Sequence, residues 1–394
     1  MRRRSIRVAL LLVSAALLLS GCWDKAELIE FGYVQAVAID KSMNESIELT
    51  TLFYNPSGHG ESTGMTAQPK MAIPIVTEAD SVFEAVQDIP LHFGRRAKWD
   101  HMRIIMISEE LARSMPLGEI LDFFSRNSEQ RATVLLLITK GKAKDYIMIK
   151  PYIEYTIGQQ LRKIEDTVSR YSAKTTKLPL YELAIQLMGQ TNTAMLPYAY
   201  TTANSNDIVV AGIALFKDQL LTGNIVTPSD TQPLLMLLDR YKQGIIELPC
   251  PATDGKKRNV GESFEVISTN TRLKPKIQGD ELTIQVKSKI KGTVSELHCT
   301  TLMTMDDERK MRMRVAEQIT KEMKLMIGRL QKRRLDALNI GNKIYRHYPQ
   351  LWKKWKPSWE ERFAAAKFDI SIDVDILNTG LNIGETFGKK EKNE

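Results

Sequence analysis

The cysteine with the most specific chemical surroundings is Cys22, which directly follows Leu19, Ser20 and Gly21. One apolar residue and two small residues before a cysteine form the pattern of a bacterial lipobox. In a lipobox the thiol receives a diacylglyceryl group, and a peptidase then cleaves the chain ahead of the lipidated residue. We therefore predict that Cys22 is the first residue of the mature chain and its lipid anchor.

The segment ahead of Cys22 has the composition of an export signal. Four arginines lie within the first seven residues, and an uncharged, mostly apolar stretch follows at 8–19. A basic start, an apolar centre and small residues before the cleavage point mark a signal peptide, whereas a membrane-spanning helix needs about 20 apolar residues. We predict that residues 1–21 are removed and that two or more acyl chains anchor the mature protein to a membrane.

Composition places the rest of the chain among globular proteins. Of its 394 residues, 43% are hydrophobic and 26% are charged, which suits a chain of two or three domains. The formal net charge of +8 includes the arginines of the expected signal peptide. The mature chain therefore has only a weak excess of positive charge, and we expect no nucleic-acid partner.

Walker A, HExxH and Rossmann glycine motifs are absent from the sequence. The histidines are scattered, and only His92 and His101 share a polar segment, together with Arg95, Arg96 and Asp100. This segment can form a small polar site, or its histidines can be hydrogen-bonding groups at the start of a strand. We predict no enzymatic activity, no catalytic residue and no cofactor.

Two further cysteines, Cys250 and Cys299, remain in the mature chain. They can form one disulfide outside the cytoplasm, although a chain of this size does not need one, and the sequence leaves the pairing open. His298 beside Cys299 hints at a metal. A structural zinc site, however, needs four ligands at recognisable spacing, so we predict no metal site.

Three of the five tryptophans lie close together at 352, 355 and 359, among Lys353, Lys354 and Lys356. Tryptophan with lysine suits a membrane interface or a partner pocket, but the rings can equally cover the core between a long helix and the last strand. Pro357 interrupts regular helix within this segment. We expect one or two rings to pack inward and at most one to remain exposed.

The order of elements predicts an α+β fold of several domains, with mixed and antiparallel sheets and packed helices. A hairpin is predicted from 31–40 and 47–54, because apolar and polar residues alternate on each side of a polar break. Strands and helices then alternate between 103 and 149. From 208 onward the spacing of apolar residues favours an antiparallel sheet, with the stretch around Pro275 at most an edge strand.

One very long helix is predicted in the C-terminal domain, at 306–338, where apolar residues keep helical spacing. It can be a coiled coil or a basic partner-binding helix. We favour a helix that lies across an antiparallel sheet with its charges in water, because a strand is predicted soon afterwards at 368–376.

Four segments resemble a known family. They are Cys22-Trp23-Asp24-Lys25-Ala26-Glu27-Leu28, Leu91-His92-Phe93-Gly94-Arg95-Arg96, Ala211-Gly212-Ile213-Ala214-Leu215-Phe216-Lys217 and Asp336-Ala337-Leu338-Asn339-Ile340-Gly341. Together they resemble the Ger(x)C family, the lipoprotein C subunits of nutrient-germinant receptors in spore-forming bacteria. Lys25-Ala26 and Asn339 depart modestly from the family pattern.

The resemblance implies a role in germination, beside an integral-membrane A subunit and a B subunit in the spore inner membrane. It implies a non-catalytic accessory or scaffold that is lipid-anchored on the outer face, since nutrient binding is usually assigned to the other two subunits. No ligand-binding residue of this chain follows from it. Neither the germinant nor the contact surface follows from the sequence.

We expect four parts in the chain: the signal peptide at 1–21, an N-terminal α+β region at 22–205 with room for two subdomains, a C-terminal α+β domain at 206–387 and a charged tail at 388–394. The alternative function is a lipid-anchored extracytoplasmic solute-binding protein of an importer. That class predicts two similar α/β lobes joined by a hinge.

Overall fold

The computed structural model describes residue 6 and residues 27–55, 72–202, 207–250 and 261–378. Cys22 and the expected C-terminal tail lie outside the described residues. The strands are β1 (Phe31–Lys41), β2 (Ile47–Tyr54), β3 (Ala72–Ala79), β4 (Arg96–Lys98), β5 (Ile104–Ser108), β6 (Leu135–Thr139), β7 (Thr193–Thr201), β8 (Ile208–Lys217), β9 (Leu220–Leu221), β10 (Gly244–Pro249), β11 (Gly261–Gln278), β12 (Glu281–Glu296) and β13 (Lys367–Asn378). The α-helices are α1 (Val82–Gln87), α2 (Ile89–Phe93), α3 (Glu109–Ser114), α4 (Leu117–Arg126), α5 (Ala143–Ile147), α6 (Ile157–Tyr171), α7 (Leu180–Leu187), α8 (Pro228–Leu237), α9 (Met305–Lys332), α10 (Ile340–His347), α11 (Pro349–Trp355) and α12 (Trp359–Ala365).

The first sheet of the described residues has nine strands, in the order β3-β2-β1-β5-β6-β7-β8-β9, with β4 beside β1. The central strands β1, β5, β6 and β7 run parallel, and the outer strands pair antiparallel. The predicted hairpin is confirmed as β1 and β2, in which Ile39 lies opposite Leu49. The sheet is therefore mixed, as expected.

Helices cover both faces of this first sheet. On one face, Leu111 of α3 and Ile120 of α4 belong to the same buried cluster as Ile107 of β5. On the other face, Tyr146 of α5 and Leu161 of α6 pack with the neighbouring strands. Parallel strands need cover on both faces, and the near-continuous burial of β5 and β6 follows from this arrangement.

The second sheet has the order β10-β11-β12-β13, and α9 lies across it. Val315, Ile319 and Met323 recur along one face of α9 and share a buried cluster with Phe264 and Ile284 of the sheet. The prediction of a helix lying across a sheet is therefore confirmed. The sheet is antiparallel except for β12 and β13, which run parallel, because α9 carries the chain back between them.

The long helix is shorter than the sequence suggested. It has 28 residues, about 42 Å at 1.5 Å per residue, and ends at Lys332 rather than at 338. Arg334 has φ 53°, which lies outside the right-handed helical region. The apolar spacing continues to Leu338 because that residue is also buried, although it lies in the turn that follows.

The stretch around Pro275 belongs to the long strand β11. The first part of β11 pairs with β10 only as far as Val266. Beyond that point, within the described residues, β11 pairs with β12 alone. Pro275, which has no backbone donor, therefore lies where β11 is an edge strand, as expected.

The first sheet continues past residue 205, where the sequence analysis places a domain boundary. β8 pairs with β7, and β9 pairs with β8, so the residues up to Leu221 complete the N-terminal sheet. Met195 of β7 and Leu215 of β8 in turn share a buried cluster with the second sheet and α9. The two sheets therefore share one continuous core.

Gly212 interrupts β8 with φ 97°. A Cβ atom at this position would lie 2.8 Å from the carbonyl oxygen of Val226. The N–H of Gly212 donates to the carbonyl of Lys174 over 2.7 Å, and its own carbonyl accepts from the hydroxyl of Thr175 over 3.0 Å. Close packing thus excludes a side chain at this glycine.

Candidate functional site at the junction of the two sheets

Asp336 is a buried carboxylate in the turn after α9, with 3% of its surface exposed. Its two oxygens accept from the N–H of Ile340 over 3.0 Å and of Gly341 over 2.7 Å, at the start of α10. The indole N–H of Trp359 donates to Oδ2 over 3.2 Å. Burial raises the pKa of Asp336 to about 6 although these donors oppose the shift. Because donors of the same chain hold this carboxylate in place, its role is structural.

The turn around Asp336 depends on residues that fit its backbone. Asn339 has φ 59°, a left-handed conformation that asparagine tolerates better than most residues. At Gly341 a Cβ atom would lie 2.7 Å from Cγ2 of Thr191 and 2.8 Å from the ring of Trp352. The Asp336–Gly341 segment, which resembled the family on sequence alone, is therefore a tight turn against a loop of the first sheet.

That loop, residues 189–192, and the first residue of β7 are joined by hydrogen bonds to the turn after α9 and to the helices that follow it. The N–H of Gln190 donates to Oδ1 of Asn342 over 2.6 Å. Oε1 of Gln190 accepts from the indole of Trp352 over 3.2 Å, and the hydroxyl of Thr193 donates to the carbonyl of Asp336 over 3.1 Å. We call these contacts, together with Asp336 and its donors, the junction.

All three clustered tryptophans are buried: Trp352 is 2%, Trp355 0% and Trp359 5% exposed. The rings of Trp352 and Trp359 meet edge to face at 5.1 Å, and Arg362 lies over the ring of Trp355 at 4.6 Å. The break at Pro357 is confirmed as a 3₁₀ turn. The expectation that only one or two rings pack inward is wrong, because this turn lets α11 and α12 both direct tryptophans into the core.

The cysteine pairing left open by the sequence is settled: Cys250 and Cys299 form a disulfide. Beside it lies Glu262, a fully buried residue of β11 that sequence reasoning missed. Its carboxylate accepts from the N–H and the hydroxyl of Thr300 over 2.8 and 2.6 Å and pairs with Arg314 of α9 at 2.5 Å. Burial acts to raise the pKa of Glu262, but these hydrogen bonds hold it below its ordinary value.

The polar segment with His92 and His101 has no nucleophile at its centre. His101 lies 3.9 Å from Asp100 and contacts the ring of Tyr33 edge to face. His92 is an exposed residue near the end of α2. Within the described residues, no group of three or more histidine, cysteine, aspartate or glutamate side chains is placed to hold a metal ion.

Comparisons with known proteins match nearly the whole chain. The family described as "Spore germination protein N-terminal domain" matches residues 24–200, and that described as "Spore germination B3/ GerAC like, C-terminal" matches residues 211–380. These ranges meet near the expected boundary at 205, although the first sheet crosses it. No helix among the described residues is long and apolar enough to cross a membrane.

Similar curated proteins come from Bacillus subtilis (strain 168). Spore germination protein KC is 22% identical, covering 96% of this chain and 97% of that protein. Spore germination protein B3 is 23% identical, covering 92% and 95%, and spore germination protein A3 is 24% identical, also covering 92% and 95%.

A crystal structure of the GerBC protein has a similar fold. Its TM-score is 0.57 at 20% sequence identity, and the match covers 90% of this chain and all of that one (100%). The α+β fold is therefore shared with a solved structure. Because both parts of the sequence match in order and over nearly their full length, the chain belongs to the Ger(x)C family of spore germination proteins.

Proposed function

We propose that this chain is the lipid-anchored C subunit of a spore nutrient-germinant receptor, required with the A and B membrane subunits for the response to nutrients. The observation that carries the proposal is the match to spore germination proteins over more than nine-tenths of the chain. The lipobox ending at Cys22 supports the anchor. We place the protein on the outer face of the spore inner membrane.

Within the receptor, the chain acts as a non-catalytic accessory or scaffold. The buried carboxylates support this role, since those of Asp336 and Glu262 accept hydrogen bonds from their own chain. The junction holds two different sheets in one arrangement, as a rigid part of an assembly requires.

The importer alternative finds no support in the fold. A solute-binding protein of that class has two similar α/β lobes. In the described part of this chain, one unit is a mixed nine-stranded sheet with helices on both faces, whereas the other is a four-stranded sheet crossed by one long helix.

The experiment is complementation of a deletion strain of the host with the wild-type gene, with Cys22→Ala or with Ser20→Ala. Nutrient germination is followed by the fall in absorbance of the spores, and lipidation by incorporation of a labelled fatty acid. We expect Cys22→Ala to lose the label and to reduce germination, because the anchor concentrates the chain beside its partners. Ser20→Ala keeps a small residue before the cysteine and should retain both.

Two results would contradict the proposal. Label incorporation by Cys22→Ala at the wild-type level would exclude the lipid anchor. Deletion spores that respond normally to every nutrient to which the wild-type strain responds would exclude a required receptor role. Co-purification of the wild-type protein with the A and B subunits from spore inner membranes tests the assembly directly.

A further inference from the structure

A cleft of about 570 Å³ lies beside the junction, between the two sheets. Residues of α7 and of the loop after it form one wall, and residues of α10 form the opposite wall. The end of α8 and the middle of β11 close the base. Ligand sites occur preferentially at such meeting points between structural units, and this volume falls within their usual range.

Two cations of α10 line the cleft without a counter-ion. Lys343 and Arg346 are three residues apart and therefore lie on the same side of the helix. Lys343 is partly buried, and its ammonium donates only a long hydrogen bond, 3.4 Å, to the carbonyl of Leu273. Burial, and then the nearby Arg346, lower the pKa of Lys343, although the charges of Asp336 and Asp239 oppose this shift. Among the described residues, neither cation has a carboxylate oxygen within 4 Å.

The acidic residues that line the cleft are already engaged. Glu182 pairs with Arg240, and Oδ1 of Asp239 accepts from the N–H of Thr271 over 2.8 Å. Asp239 and Asp336 offset part of the charge of Lys343 from a distance, but neither forms an ion pair with it, and Arg346 is exposed to water. Burying a cation such as Lys343 without an ion-pair partner costs free energy. Binding of a separate anion beside it would reduce that cost.

A neutral donor adds to the two cations. Oε1 of Gln186 accepts from the N–H of Met195 over 2.9 Å, whereas Nε2 is buried and has no hydrogen-bond partner among the described residues. Buried donors are normally satisfied, so this amide leaves an unsatisfied donor within the wall of the cleft.

Apolar side chains line the cleft beside Lys343, Arg346 and Gln186. Ile185, Met188 and Tyr345 line the cleft and are 62%, 75% and 45% exposed. Leu273, at the base, is 9% exposed. A ligand with an apolar body would cover these side chains, which a bare inorganic ion would leave in water.

We propose that this cleft binds a small organic anion, either a carboxylate or a phosphate ester, with its charged group between Lys343 and Arg346 and its apolar body against Ile185 and Met188. Hydrogen bonds between charged partners are about twice as strong as neutral ones. The bound anion would contact both sheets and so stabilise their arrangement. The inference does not rest on the receptor role.

The test uses the full lipidated chain in non-ionic detergent and measures acetylation of Lys343 by mass spectrometry. Four probes separate the contribution of the charged group from that of the apolar ring: phenylacetate, phenyl phosphate, inorganic phosphate and neutral benzyl alcohol. A probe present at about ten times its dissociation constant should slow acetylation of Lys343 about tenfold. We expect this from one or both of the phenyl anions, a weaker effect from inorganic phosphate and none from benzyl alcohol.

Matched variants identify the site. Arg346→Gln and Lys343→Gln should each weaken binding of the phenyl anion at least tenfold by calorimetry, whereas Lys324→Gln on the exposed side of α9 should leave it unchanged. The proposal is overturned if neither phenyl anion protects Lys343 in the wild-type chain. It is equally overturned if Lys324→Gln weakens binding as much as Arg346→Gln, because the effect would then be non-specific. The acetylation assay uses the wild-type chain, so it still tests the proposal if a variant fails to fold.

Discussion

The indole N–H of Trp359 donates to Oδ2 of Asp336 over 3.2 Å, and both residues are buried. This bond joins α12 to the turn after α9. The same carboxylate binds the first turn of α10, so one side chain fixes three helices relative to each other.

Asp336→Ala should lower the free energy of unfolding by about 2–4 kcal/mol, because it leaves buried donors of Ile340, Gly341 and Trp359 without an acceptor. Urea unfolding followed by tryptophan fluorescence measures the loss. Asp369→Ala, an exposed aspartate of β13, serves as the control and should change stability by less than about 0.5 kcal/mol. Equal effects of the two substitutions would contradict the structural role of Asp336.

The pH dependence of stability should report the same carboxyl. Burial raises the pKa of Asp336 from an ordinary 3.8 to about 6, so the folded state binds this proton more tightly than the unfolded state does. The stabilisation from this group is complete below about pH 4 and is lost as the pH rises through about 6. Relative to Asp336→Asn, the wild type should lose up to about 3 kcal/mol between pH 4 and 7.5.

Paired denaturation curves across this pH range measure the difference. Burial also raises the pKa of Asp40, Glu165 and Glu322, but those groups are common to both proteins and cancel in the comparison. Parallel curves for wild type and Asp336→Asn would show that Asp336 titrates normally.

Gly212→Leu should cost about 1–3 kcal/mol by overpacking, because Cβ would meet the carbonyl oxygen of Val226 at 2.8 Å. Gly328→Ala is the matched control. Gly328 lies inside α9, and its Cβ position has no neighbouring atom within 4 Å. Alanine there should stabilise by about 0.5–1 kcal/mol. Thermal unfolding of the two variants should therefore shift in opposite directions, and an unchanged melt for Gly212→Leu would place this glycine at the surface.

Reduction of the Cys250–Cys299 disulfide should cost about 2–4 kcal/mol, since it releases a loop between residues 49 positions apart. Stability with and without reductant measures the cost, and Cys250→Ala/Cys299→Ala should match the reduced wild type. Thiol titration of the unfolded lipidated chain should find no free thiol before reduction and two afterwards. Free thiols before reduction would contradict the pairing.

Local patterns predicted the local elements well. The hairpin of β1 and β2 lies where the sequence predicted it, at 31–40 and 47–54, because a short polar break separates its two strands. The strand β7 was missed. Apolar and polar residues do not alternate along β7, since nearly all of its residues are buried. Pro197 also argues against a strand, because proline cannot donate a hydrogen bond to a neighbouring strand.

The junction was only partly predictable. The sequence identified the tryptophans and the Asp336–Gly341 segment but gave no reason to join them, because a hydrogen bond between Asp336 and Trp359 depends on where α9 ends. Nothing in a single sequence distinguishes a buried aspartate from an exposed one. The segment that contains Gly212 was also identified from the sequence, whereas the close approach of this glycine to Val226 depends on the fold.

Because the two sheets share one core, the order of synthesis determines when the contacts between them can form. The first sheet is complete once Leu221 has emerged, more than one hundred residues before Asp336 and Asn342 are made. Until then the 189–192 loop lacks its hydrogen bonds to Asn342 and Trp352, and Met195 and Leu215 lack the cover that the second sheet and α9 provide. The N-terminal half should therefore fold early and expose an apolar surface until the last third of the chain covers it. A chain truncated before that point should aggregate through this apolar surface.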